Sequence, residues 1–132
     1  MEEIHILKSK GVHPSAWIWM HVQNEKNREL HYEAAREGGW VSFDGFNTES
    51  IGGYVQFLKD IRSAGLLNKV LISHDAGRYH VDETNGGADH GYTPVFKDLV
   101  SSLRNNGFTD KEIQQIFTDN PAKAFAISVR KL

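Results

Sequence analysis

Val70-Leu-Ile-Ser-His-Asp-Ala-Gly77 decides the fold: an apolar β run delivers an aspartate, Asp75, at its C-terminal end. Parallel α/β proteins place metal ligands and catalytic acids at such strand ends. Working outward, Ala16-Trp-Ile-Trp-Met-His-Val22 is a second apolar run and brings His21 to a comparable position. Between them, Trp40-Val-Ser-Phe-Asp44 forms a short strand pattern that ends in Asp44. The three runs begin near residues 16, 40 and 69, one βα unit apart. Parallel strands need helical crossovers, so this alternation predicts a parallel sheet.

The intervening segments carry helical periods. Residues 2–10 place Ile4 and Leu7 on one face, with Gly11 as the stop, and residues 27–37 hold Leu30, Ala34 and Ala35 before Gly38-Gly39. Ile51, Tyr54, Val55, Leu58 and Ile61 recur at spacings of three and four, an apolar stripe ended by Gly65. A polar, glycine-rich loop covers about 76–92, and loops of this length are usually functional or mobile. Beyond it, Phe96, Leu99, Val100 and Leu103 give a helix its buried face. Thr109-Asp-Lys-Glu112 is a capping box, with Phe108 and Ile113 spaced as a hydrophobic staple. Asn120-Pro121 reads as the cap and first-turn proline of a last helix. No repeat, linker or domain boundary is visible, so residues 1–132 are expected to form a single domain. A full (β/α)₈ barrel takes ~250 residues and this chain carries about three of its eight units. The expected fold class is α/β: a partial (β/α)₈ barrel, or else a small three-stranded module.

Composition excludes several function classes. The net charge of −2 with no basic stripe gives nucleic-acid binding little electrostatic support. Without cysteine, disulfide scaffolds, thiolate metal sites and cysteine nucleophiles drop out. No apolar run approaches the ~20 residues of a membrane span, and Met1 leads into Glu2-Glu3 without a secretory pattern. The expected compartment is the cytoplasm.

Strand parity sorts the side chains by face. His21 goes with Trp19 and Trp17, Asp44 with Ser42 and Trp40, and Asp75 with Ser73 and Leu71. His21, Asp44 and Asp75 are thereby expected to converge at one rim. Imidazole with carboxylate suits Zn, Mn or Fe type divalent ions. A strand-end histidine also serves as a hydrogen-bonded structural residue, and a strand-end aspartate as a helix cap.

The ordered motifs carry a resemblance. His21 followed by Val-Gln-Asn-Glu, then Gly39-Trp-Val-Ser-Phe-Asp-Gly45, then Val70-Leu-Ile-Ser-His-Asp75, is similar to the last three βα units of the phosphotriesterase family of amidohydrolases. Phe117-Thr-Asp-Asn-Pro-Ala-Lys-Ala-Phe125 resembles that family's closing Asn-Pro-Ala helix, and Leu7-Lys-Ser-Lys-Gly-Val-His-Pro-Ser15 the approach to its sixth strand. The resemblance implies a barrel with a pair of divalent metals, Zn first and Mn or Fe as alternatives, at its C-terminal rim. It puts His21 at the sixth-strand ligand position and Asp75 at the eighth. It also makes Asp75 the acceptor of the proton when a metal-activated hydroxide attacks an ester, lactone or phosphoester.

Departures from the family pattern set limits. The first-strand histidines, the bridging residue and the fifth-strand histidine have no counterpart here. A proton relay of the best-known members falls on Asn24 and Gly45, which cannot perform it. Lactones and carboxylic esters are therefore as well supported as phosphotriesters. The expectation is a C-terminal fragment, inactive alone, of a metal-dependent hydrolase. The alternative is a non-catalytic, self-associating α/β module.

Other polar residues receive lesser roles. Arg78 and Tyr79, close after Asp75, are candidate substrate contacts. His80 and His90 flank the long loop with Asp82, Glu83 and Asp89, a solvated lid or an adventitious metal site. His74 points to the helix side by parity, and His5, His13 and His31 are expected on the surface. An open three-stranded piece would expose two edges and an inner face bearing Trp17, Trp19, Trp40 and Leu71. Expected partners are therefore a second copy or the missing N-terminal part of the barrel, with a small-molecule substrate. Folding back of a terminal segment is the other way to cover that face.

Overall fold

The computed structural model describes residues 1–77, 79–87 and 91–132. Helix α1 (Glu2–Ser9) leads into strand β1 (Ile18–Trp19), then α2 (Arg28–Arg36), β2 (Trp40–Phe43), α3 (Ile51–Ser63) and β3 (Val70–Ile72). The strands form one parallel sheet in the order β1-β2-β3. Ile18 pairs with Trp40 and Trp19 with Val41, while Val41, Ser42 and Phe43 pair with Val70, Leu71 and Ile72. The βαβαβ reading holds, and the sheet is the expected fragment of a barrel wall. No helix among the described residues is long and apolar enough to cross a membrane.

The principal core lies between the sheet and its helices. Val41, Phe43 and Val70 meet Leu58 and Ile61 of α3 and Ala34 of α2, as the three-and-four spacing of those helices requires. On β1 the expected parity is reversed. Partners in a parallel ladder share a face, so pairing with Val41 puts Trp19 on the helix-covered side, where Trp17 stacks on it at 5.8 Å. The strand is also only two residues long rather than reaching His21.

The opposite face is covered from within the chain. Trp40 and Leu71 are 3% and 4% exposed, packed with Ile18 and with Ala124 from the C-terminal helix. Trp40 Nε1 donates to the Ser15 carbonyl at 3.2 Å, and the Lys69 ammonium lies 4.9 Å from the Trp40 ring centroid. The tail beyond that helix returns to the start of the chain: Val12 and Lys131 form an antiparallel bridge, and Arg130 donates to the carbonyls of Ser15, Lys123, Ala124 and Ala126. The terminal segment thus folds back, and the rings expected in solvent are not there.

The C-terminal helices depart from expectation at two points. A π turn over Val95–Leu99 precedes α4 (Val100–Asn105), shifting the buried series to Val95, Leu99 and Leu103 and leaving Phe96 exposed. The Thr109–Glu112 capping box forms at the start of α5 (Asp110–Gln114), with Phe108 and Ile113 both buried. Asn120-Pro121 starts no new helix. A π turn over Gln115–Asp119 joins α5 to α6 (Asn120–Phe125), with the Asn120 amide donating to the Gln115 carbonyl. A wider turn is one way a helix accommodates proline. The Asn120 side chain is freed from capping and buried. Its Nδ2 donates to the carbonyls of Leu67 and Val70, each at 2.8 Å, fixing the entry to β3.

Candidate functional site

Beyond β1 and β2 the chain ties a knot around Asp44, which is 2% exposed. The His21 amide donates to both carboxylate oxygens at 3.0 Å, and His21 Nδ1 lies 2.7 Å from Oδ1. Gln23 completes the grip: its Nε2 donates to Asp44 Oδ1 at 3.2 Å, and its Oε1 accepts the Asp44 amide at 3.4 Å. One carboxylate therefore satisfies two segments that would otherwise leave polar groups unpaired. The next residue is tied as well, the Gly45 amide donating to the Tyr54 hydroxyl at 3.0 Å. Burial pushes the Tyr54 phenol up to about 12, with Asp44 adding to the rise against the Gly45 hydrogen bond.

The geometry gives the His21 ring a defined role. With Nδ1 turned to Asp44, Nε2 is the nitrogen left for a ligand, the arrangement that orients metal-binding imidazoles. Asp44 thus holds His21 in place and is engaged itself, which differs from the expectation that it joins the rim as an equal donor. Gln23 and Tyr54 hold the residues of this knot in place, and the sequence reading did not single them out for that. Tyr54 was legible only as one member of the apolar stripe.

Both residues placed as ligands by the resemblance have unusual backbones. Among the described non-glycine residues, positive φ occurs at His21 (53°), Asp75 (47°) and Asn85 (57°). Such left-handed conformations cost of order 1–3 kcal/mol and cluster at functional sites. At His21, the hydrogen bonds to Asp44 hold the conformation in place. Asp75 is exposed just beyond β3.

The expected convergence is incomplete. Among the described residues, no three His, Cys, Asp or Glu side chains come close enough to hold a metal ion. His21 and Asp44 meet, but Asp75 does not close a three-ligand cluster with them. His21 Nε2 and the Asp75 carboxylate remain donors of the right type for Zn, Mn or Fe. Two donors do not complete a binuclear centre.

The remaining candidates disperse. Tyr79 is exposed, its ring over Gly86, where a Cβ would come within 2.3 Å of the ring. His80 Nδ1 lies 3.9 Å from Glu83 Oε1 in the same loop. Arg78, Asp89 and His90 lie outside the described residues. His74 Nδ1 accepts the Ala76 amide at 3.3 Å and its ring meets Tyr92 edge-on. His31 overturns its surface assignment. It is 2% exposed, ringed edge-on by Trp19, Phe43 and Phe57, with burial driving its pKa down.

A profile of the phosphotriesterase family matches residues 1–125. The chain belongs to the phosphotriesterase family. It is 27% identical over 128 residues to the phosphotriesterase homology protein of Escherichia coli, covering 95% of this chain and 43% of that protein. It is 28% identical over 138 residues to N-acetyltaurine hydrolase of Danio rerio, covering 93% and 39%. The aryldialkylphosphatase of Saccharolobus solfataricus is 25% identical over 143 residues, with 96% and 43% covered. The solved structure of the Escherichia coli protein, complexed with phosphate in its active site, superposes with a TM-score of 0.78 at 26% identity, covering 92% of this chain and 42% of that one. The organophosphorus hydrolase of Deinococcus radiodurans shares the fold at TM-score 0.76 and 22% identity, with 95% and 42% covered. This member of the family spans about two fifths of the length of these relatives.

Proposed function

We propose that these residues are the C-terminal part of a metal-dependent hydrolase acting on ester, lactone or phosphoester bonds. His21, through Nε2, and Asp75 would each contribute a ligand to a divalent ion, Zn first and Mn or Fe next. The observation that carries this reading is the shared left-handed backbone of His21 and Asp75, in a family whose relatives include named hydrolases. When bound, a divalent metal supplies Lewis acidity and a hydroxide at neutral pH. Asp44 and Gln23 hold the His21 ring, and Asp75 would accept the proton as hydroxide attacks. Asn24 and Gly45 offer no relay beyond these residues, so lactones and carboxylic esters stand level with phosphotriesters as substrates. The remaining ligands would come from the N-terminal part of a barrel. On this reading the chain alone is inactive.

A second reading is a non-catalytic α/β module that self-associates. It draws on the two outer strands of an open sheet and on exposed Phe125, Ile127 and Val129 near the tail. Metal content per chain, measured by plasma mass spectrometry on chelator-free protein after gel filtration, separates the two. Near-stoichiometric Zn, Mn or Fe that is lost with His21→Ala and with Asp75→Ala supports the hydrolase reading and calls for assays on lactones and esters. Metal-free protein that elutes as a stable oligomer and refuses added Zn supports the module.

A further inference from the structure

We infer that the hollow between α2 and α3 binds a small aryl carboxylate, read by His31 and Arg28. The hollow has a volume of ≈ 380 Å³, at the small end of the ~300–1,000 Å³ typical of small-ligand sites. It lies on the helix-covered side of the sheet, with Phe43, Tyr54 and Phe57 as aromatic walls and Gln23, Arg28 and His31 among its polar lining.

His31 is the observation that points to a ligand. The side chain is almost wholly buried and borders the hollow, and neither Nδ1 nor Nε2 completes a well-formed hydrogen bond, the backbone of Val22 and Glu25 being the polar groups beside the ring. Buried polar groups are nearly always paired, so an imidazole in this state calls for an occupant. Burial lowers the pKa of the ring and so favours its neutral form, which offers one N–H to an acceptor and one lone pair to a donor.

The donors left on the lining select an acceptor with negative character. Arg28 Nη1 holds Asp60, leaving the other guanidinium donors for an occupant. Glu25, the one acid of the lining, accepts the Asn27 amide at 2.7 Å through Oε1 and keeps its charge, so an anionic group must seat on the Arg28 and His31 side of the hollow. Arg28 opens α2, and Ser50 and Gly53 belong to the amino end of α3, so two helix starts face the hollow with their dipoles favouring an anion. The flat aromatic walls suit a ring, which would stack or meet them edge-on. A carboxylate on an aromatic ring satisfies both requirements.

Gly53 supplies a clean way to close the hollow. It lies in α3 without a positive φ, and a Cβ there would meet nothing within 4 Å. A side chain at this position fills space and also favours the helix. The experiment titrates the chain with benzoate, following the His31 ring nitrogens by NMR, with benzyl alcohol as the uncharged control. The expected result is a saturable His31 shift with benzoate, lost in Gly53→Leu and weakened about tenfold or more in Arg28→Gln, as loss of a charge-assisted contact implies. Thermal melting of both variants verifies the fold. No saturable response to benzoate, a response that survives Gly53→Leu, or equal affinity for benzyl alcohol would overturn the proposal.

Discussion

At the ends of β1 and β2, Asp44 gathers the His21 amide, the His21 ring and the Gln23 amide into a buried knot, whereas beyond β3 Asp75 faces solvent at the mouth of a long loop. Both regions hold a strand-end residue in left-handed backbone. The first is over-determined by hydrogen bonds within the sheet's own loops. The second strand end is fixed from the other direction, by Asn120 on the carbonyls of Leu67 and Val70 at the entry to β3. One proposed ligand position is therefore built into the stable part of the molecule, and the other is carried at its edge.

Replacing Asp44 is the strongest way to break this contrast. Asp44→Ala leaves the His21 amide and the Gln23 side chain without their shared acceptor, and the expected loss is about 3 kcal/mol. Urea denaturation reads it, and a loss below about 1 kcal/mol would show that the knot is not a determinant of stability. Asn120→Ala should cost about 2 kcal/mol, since two buried carbonyls lose their donor. Equal stability to the parent chain would remove the second anchor from the comparison. Tyr54→Phe, which takes away only the acceptor of the Gly45 amide, should cost about 1 kcal/mol.

Asp75 marks the small end of the scale. Asp75→Asn keeps the side chain's shape and its tolerance of left-handed backbone, so it should cost clearly less stability than Asp44→Ala while weakening the hold on any metal the chain binds. A destabilisation as large as that of Asp44→Ala would show that Asp75 is a structural residue like Asp44.

The pH dependence tests what lies beneath the knot. His31, with Glu25 and Arg28 as its charged neighbours, has its pKa held below the ordinary 6.5, first by burial. The folded state therefore binds fewer protons than the unfolded one, and stability from this site is present above 6.5 and lost as pH falls below it through the lower folded-state value. The thermal midpoint should drop between neutral pH and pH about 5, and His31→Phe should flatten that drop. An unchanged slope in the variant would assign the titration to another group.

Much of the architecture was legible in the residues. Period-two and period-three-to-four patterns are set by burial of one face, so the three strands, the α3 stripe and the Thr109 capping box could be read directly. The errors fall where a side chain's fate depends on a distant segment. Ile18 and Trp19 exchange expected faces, while Trp40 keeps its own beside Leu71, because β1 stops after two residues and is registered by β2, not by its own alternation. Phe96 and Asn120 were misassigned because π turns shift helical phase without changing composition.

By itself the sequence determined the order of βα units, the parallel sheet, and the delivery of His21, Asp44 and Asp75 to strand ends, because each follows from local periodicity. Tertiary structure alone decided that Asp44 holds His21, that Asn120 fastens β3, and that His31 is buried without a well-formed hydrogen bond. Those outcomes depend on hydrogen bonds and packing between residues as far as 53 positions apart, and no local pattern records which distant group will arrive to satisfy a buried polar atom.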